Sequence, residues 1–241
     1  MKLATLLFVA LLSTASCGGT DAQDRRLLVS AASSLSGAFA EIESVFEEAN
    51  PEVDLILNLG GSSQLREQIL QGAPADVFAS ANPEIMAELV DAGRLAAAPR
   101  DFAVNRLVIA VPRGNPAAVD GLEDFDDGSL LIGLCAPDVP CGRLARSALA
   151  AAGVAADVDT EEPSVRALLV KIEAGELDAG LTYATDVLAS DEVDAIEVPG
   201  DHTALYQIAV VSGSPTADEF VRFVLSDEGL AILADHGFGL P

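Results

Sequence analysis

The chain has 241 residues, half of them hydrophobic and spread along its length, which allows one large α/β domain or two smaller lobes and excludes a disordered chain. Its formal charge of −25 argues against nucleic acid or an anionic membrane as a partner, because both carry the same sign. Net charge describes the solvated exterior, so a buried anion site stays open: such a site answers to its nearest dipoles.

Residues 1–16 read as a secretory signal. Lys2 is the only charge, Leu3 to Leu12 are apolar apart from Thr5, and small residues lead to Cys17. The stretch is too short to span a bilayer as a permanent helix. Cys17-Gly18-Gly19 resembles a bacterial lipoprotein cleavage site, in which Cys17 is lipidated and becomes the mature N-terminus, although Thr14 stands where lipoproteins usually carry Leu. Ordinary cleavage near Ala15, releasing a soluble secreted protein, is the other reading. One lipidated cysteine tethers a domain to a membrane surface without making it span.

A strand-like run at Leu27–Ala31 hands over at Ser33-Ser34 to a helix over Leu35 to Ala49, whose stripe Leu35, Ala38, Phe39, Ile42, Val45, Phe46 and Ala49 has helical spacing. Asn50-Pro51 stops it. The next strand, Val53–Leu59, passes through Gly60-Gly61 to Ser62-Ser63 and a helix over 63–71. Strands follow at Asp76–Ser80, Leu107–Val111 and Leu130–Leu134, with a helix at Pro83–Ala92. Cys135 and Cys141 flank the turn Pro137-Asp138-Val139-Pro140; export favours a local disulfide, and a buried Cys135 with a free Cys141 thiol is the alternative. Helices at Gly142–Ala152 and Ser164–Ala174, strands at Ala179–Tyr183, Val193–Val198 and Leu205–Val211, and a helix over 215–236 broken near Asp227 complete the chain. Gly72, Gly93, Gly153 and Gly175 each fall just past a helix, the usual stop. Such alternation predicts mostly parallel sheet with helices on both faces, and ligands at the carboxyl ends of the strands.

Four helix starts look alike: Ser33-Ser34, Gly61-Ser62-Ser63, Pro140-Cys141-Gly142 and Pro163-Ser164-Val165. Each exposes unpaired N–H groups and about half a positive charge, so four that converge supply about two, comparable with a tetrahedral dianion. A lone serine at such a place is ordinarily an N-cap. The doubled serine after Gly60-Gly61 exceeds what capping requires, and the glycines let backbone approach a ligand closely. Tyr183, at a strand's carboxyl end, can offer its hydroxyl to a ligand or simply pack; Tyr206, inside a strand, reads as structural. Arg66, Arg143 and Arg166 lie a helical turn or less after these junctions and read as solvated helix faces, with assistance to an anion as the other reading. The sequence has no G-x-S-x-G elbow, Walker loop, H-E-x-x-H or dinucleotide fingerprint, and its two histidines, His202 and His236, form no ligand-spaced cluster with the cysteines. No enzyme activity, no cofactor and no metal centre is expected.

The segments AASSLSGAF, GGSSQLREQILQGAPADVFASA, VPCGRLARSAL, PSVRALL and LDAGLTYATD closely resemble the periplasmic molybdate-binding proteins of bacterial molybdate ABC transporters, from about Leu28 to the C-terminus. The resemblance implies a type II periplasmic binding protein fold, with two α/β lobes joined by a hinge of crossing strands. Residues 27–106 plus 205–241 would form lobe 1 and residues 107–204 lobe 2. Carried over residue by residue, the ligand contacts are Ser34 and Ser62 through N–H and hydroxyl, Cys141 and Val165 through N–H, and Tyr183 through its hydroxyl. Cys141 stands where the family usually has Ala, and Asn82 where Asp is common; the first change leaves a backbone donor intact, and the second falls outside the ligand shell. The carboxylate contacts of archaeal-type relatives are lacking, which implies tetrahedral binding. The function so implied is capture of molybdate, with tungstate beside it, by a monomeric, exported, lipid-anchored or periplasmic receptor that delivers the oxyanion to a membrane permease. A sulfate or other oxyanion receptor, an exported serine hydrolase using Ser33, Ser34, Ser62 or Ser63, and a scaffold that has lost its ligand are the competing readings.

Overall fold

A computed structural model describes residues 25–241, so the secretory segment 1–16 and Cys17 lie outside the described residues. Strand β1 (Arg25–Ala32) runs parallel to β2 (Val53–Gly60) over its whole length and to β3 (Val77–Ser80) on its other side. Helices α1 (Ser36–Ala49), α2 (Ser62–Leu70) and α3 (Pro83–Asp91) follow these three strands in turn. Beyond the crossing, β5 (Ile132–Cys135) lies parallel to both β6 (Thr160–Glu162) and β7 (Ala179–Tyr183). Helices α4 (Pro140–Ala152), α5 (Val165–Glu173) and α6 (Ala184–Leu188) follow β5, β6 and β7.

The two parallel sets are joined by β4 (Arg100–Pro112), β8 (Val193–Glu197) and β9 (Thr203–Val210). Residues 100–106 of β4 pair with β9, and residues 107–112 pair with β7 and β8. The result is one curled mixed sheet in the order β2-β1-β3-β9-β4-β7-β5-β6, with β8 also on β4. Four of the eight pairings are antiparallel, and every one involves β4 or β9. Strand–helix alternation predicts parallel neighbours only where a helix returns the chain to the same end of the sheet. The chain goes out along β4 and comes back along β8 and β9, so these stretches meet antiparallel.

Local patterning accounts for most elements, and the departures have physical reasons. β4 begins at Arg100 rather than at the apolar run from Leu107, because β9 shelters its first half; Phe102, Ala103 and Asn105 are buried there. β6 and α6 escape a periodicity search because they have only three and five residues. The C-terminal helix divides into α7 (Pro215–Val224) and α8 (Asp227–Asp235) at Ser226, whose Oγ accepts the Gly229 N–H at 3.2 Å as an N-cap. Both helices pack on α1. Phe46 meets Phe220 edge-on at 5.3 Å between ring centroids, and Phe39 meets Phe220 at 6.2 Å, which fixes the C-terminal segment to the half containing β1.

Candidate functional site

The helix starts do not cap alike. After β1 a single 3-10 turn, Ser33–Leu35, leads into α1, and neither serine makes a side-chain cap bond. Ser34 instead places Oγ 2.8 Å from the Tyr206 hydroxyl. Tyr206 is therefore more than the packing residue its strand position suggests. At α2 the capping position is Gly61, which has no side chain to offer, and Ser62 is the first helical residue. The Ala81 N–H donates to Ser62 Oγ at 3.1 Å. An N–H cannot accept, so the Ser62 hydrogen remains free to donate elsewhere. Only Ser164 behaves as an ordinary cap, accepting the Ala167 N–H at 3.2 Å.

Two glycines let backbones approach at this point. A Cβ on Gly61 would lie 2.3 Å from the Pro163 carbonyl oxygen, which belongs to the loop opening α5. A Cβ on Gly142 would lie 2.1 Å from the Ala136 carbonyl oxygen, so the start of α4 folds tightly over the end of β5. Helix α4 starts at Pro140, two residues before the start expected from sequence; proline suits a first helical position. A disulfide joins Cys135, the last residue of β5, to Cys141 in the first turn of α4, with Cα atoms 5.9 Å apart. It ties the backbone N–H of Cys141 to the sheet.

Ser34, Ser62, Cys141, Val165 and Tyr183 all line one small pocket, together with Ala32, Ser33, Gly60, Gly61, Val139 and Pro140. All five are buried. Tyr183 is 1% exposed, and its hydroxyl has no hydrogen-bond partner. Three buried side-chain polar atoms lack partners among the described residues, Arg66 Nε, Thr182 Oγ1 and Tyr183 Oη, and only the last belongs to a residue of the pocket wall. Burial pushes the Tyr183 phenol well above its ordinary range, with help from Tyr206 and Asp186, so it is a donor at any physiological pH.

No lysine or arginine lines this pocket among the described residues. Arg66 pairs with Glu88, Arg166 with Glu173 at 3.4 Å, and Arg143 borders a separate crevice with Asn82 and Thr203. The wall is thus made of hydroxyls, backbone N–H groups at helix starts and apolar atoms. It can hold an anion by neutral donors. Neither histidine lines it: His202 Nε2 lies 3.1 Å from the Pro199 carbonyl oxygen, and His236, which borders a separate crevice with Ser34, has Nε2 2.9 Å from a Glu41 carboxylate oxygen. Among the described residues no serine of the pocket wall hydrogen-bonds an imidazole.

Sequence reasoning passed over Asp186. It is buried behind Tyr183, and its carboxylate accepts the Tyr183 N–H at 3.2 Å. Burial raises its pKa to about 7, against the opposing effects of that hydrogen bond and of the Arg166 charge. The motif TYATD held the only hint, an Asp three residues after the strand end, where it can reach back to the first free N–H groups of α6.

Hydroxyls and helix-start amides gathered in one pocket where two halves of a curled sheet meet are the architecture of a protein that binds a small solute. The chain belongs to the bacterial extracellular solute-binding proteins, whose family model matches residues 27–239. It is accordingly an exported binding protein and not an enzyme. More particularly, it is 38% identical over 223 residues to the molybdate-binding protein ModA of Mycobacterium tuberculosis strain H37Rv, covering 90% of this chain and 85% of that one. Among solved structures, the Azotobacter vinelandii periplasmic molybdate-binding protein matches 89% of this chain and 99% of its own at a TM-score of 0.72 and 20% identity. The sulfate-binding protein SubI of M. tuberculosis H37Rv matches 90% of this chain and 87% of its own at 0.76 and 18%. At these identities the two structures speak for the fold alone.

Proposed function

We propose that this chain captures molybdate, and tungstate in the same way, and passes it to the membrane permease of an ABC transporter. The ligand lies between two lobes, residues 27–106 plus 205–241 and residues 107–204, and is held by Ser34, Ser62, Cys141, Val165 and Tyr183. One observation carries the reading: the buried, unpartnered Tyr183 hydroxyl shares a pocket wall with three serines, Ser33, Ser34 and Ser62, and with helix starts from both halves of the sheet. An oxyanion supplies the acceptor that Tyr183 lacks. The similarity to ModA supports molybdate as the particular anion.

A wall of donors without a carboxylate favours a fully deprotonated anion. A hydrogen phosphate presses its own donor against other donors, leaving an unsatisfied group worth about 1–3 kcal/mol. Sulfate is also a bare dianion, so its exclusion rests on cavity size. Titration calorimetry on the purified mature chain with molybdate, tungstate, sulfate and phosphate tests the reading. Tight binding of the first two supports it; tight binding of sulfate alone replaces it with a sulfate receptor. Lipidation at Cys17 is part of the same proposal and predicts that Cys17→Ala moves the protein from the detergent phase to the aqueous phase on Triton partitioning. The receptor acts as a monomer and needs no cofactor.

A further inference from the structure

The bond between Ser34 Oγ and the Tyr206 hydroxyl joins residues 172 apart in the chain, and its geometry lets either oxygen donate. The surroundings of Tyr206 decide the direction. Its one other hydrogen-bonding neighbour among the described residues is Asn105 Nδ2, at 3.5 Å. That amide is pinned: Asn105 Oδ1 accepts the Arg106 N–H at 2.9 Å, and Nδ2 donates to Thr185 Oγ1 at 2.7 Å. An amide NH2 group cannot accept. If Ser34 donated to Tyr206, the phenolic hydrogen would have no acceptor, although Tyr206 is fully buried. With Tyr206 donating to Ser34, the phenolic hydrogen is paired and the hydrogen left over belongs to Ser34, which lines the pocket. A phenol is also a better donor than an aliphatic alcohol, which favours the same direction.

Taking the oxyanion reading of the pocket as its basis, we infer that Asn105 and Tyr206 are positioning residues that hold the Ser34 hydroxyl as a donor toward the bound anion. Ser62 receives the same service from the Ala81 N–H, a backbone group that only a proline substitution removes. Ser34 depends on side chains from the two crossing strands β4 and β9, and through Asn105 the row reaches Thr185 on α6. Its donor direction is therefore set by residues that lie outside the pocket wall.

A double-mutant cycle on the mature chain, read by molybdate titration calorimetry, tests this. Tyr206→Phe keeps the ring that meets Phe102 at 6.2 Å and Phe238 at 5.4 Å and removes only the hydroxyl. It should weaken molybdate about tenfold, Ser34→Ala should weaken it at least as much, and the double variant should bind no worse than Ser34→Ala alone. A packing role for Tyr206 predicts instead that the two losses multiply, and that result overturns the inference, as does unchanged affinity in Tyr206→Phe. Asn105→Ala provides a second cycle against Ser34→Ala with the same expected pattern should Tyr206→Phe fold poorly. A wild-type chain that binds none of molybdate, tungstate and sulfate overturns the oxyanion reading itself, an outcome distinct from a binding wild type whose losses multiply.

Discussion

Tyr183→Phe is the sharpest perturbation of the site, because it should move binding and stability in opposite directions. The Tyr183 hydroxyl is buried without a partner among the described residues, a condition that costs about 1–3 kcal/mol. Phenylalanine keeps the ring and its contact with Tyr206, at 6.1 Å between centroids, and removes that cost. The ligand-free variant should therefore be at least as stable as the wild type. For a chain of this size, a gain of 1 kcal/mol raises the melting temperature by about 2–4 °C. With the oxyanion present, the same hydroxyl becomes a hydrogen bond to a charged acceptor, worth about 1.5–3 kcal/mol, so molybdate should bind about 10- to 150-fold more weakly. Urea unfolding without ligand and calorimetric titration with molybdate measure the two halves separately. A variant that loses stability while keeping full affinity would show that the hydroxyl serves the fold and faces no ligand.

Three further outcomes follow from the geometry. Asp186 holds a proton in the folded chain up to about pH 7 but gives it up near pH 3.8 when unfolded, so stability should fall between about pH 4 and 7, by about 4 kcal/mol in total. The groups facing it are Tyr183, Tyr206, Arg166 and His236. Asp186→Asn should flatten that slope and be the more stable protein at pH 8; equal urea midpoints for the two proteins at pH 5 and at pH 8 refute it. Gly61→Ala drives a methyl group into the Pro163 carbonyl and should weaken molybdate at least tenfold by holding the two backbones apart, with X-ray scattering showing a more open ligand-bound form; unchanged affinity counts against close approach at this point. Reduction of the Cys135–Cys141 bond releases a short loop and should lower stability by about 2 kcal/mol, read as a lower urea midpoint in dithiothreitol; no change means that the bond constrains nothing.

Much of the candidate site was legible because helix starts announce themselves locally. The apolar stripe of α1, the Gly60-Gly61-Ser62 turn and the Pro140-Cys141-Gly142 turn are patterns of spacing, and spacing survives in one dimension. Tyr183 was legible for the same reason, as the last residue of an apolar strand. Ser33 and Ser34 were harder, since a serine before a helix is ordinarily its cap; here neither caps, and Ser34 is occupied by Tyr206. The antiparallel half of the sheet was illegible in local patterning, and only the family resemblance implied crossing strands, because the reversal comes from β4 and β9 crossing between the two parallel sets and no local pattern records which strand a distant segment will meet.

The alternation of most strands and helices and the donors at the four junctions belong to the sequence alone, since each depends on residues within a few positions of one another; that Arg66, Arg143 and Arg166, all within a helical turn of those junctions, stay out of the pocket wall was decided by the fold. Tertiary structure decided which hydroxyls remain free to donate and whether Asp186 carries charge. Those properties depend on the atoms that surround a group and on how little water reaches it. For Ser34 the deciding atom is a phenol 172 residues away; for Asp186 it is the burial produced by the packing of α6 beneath the pocket.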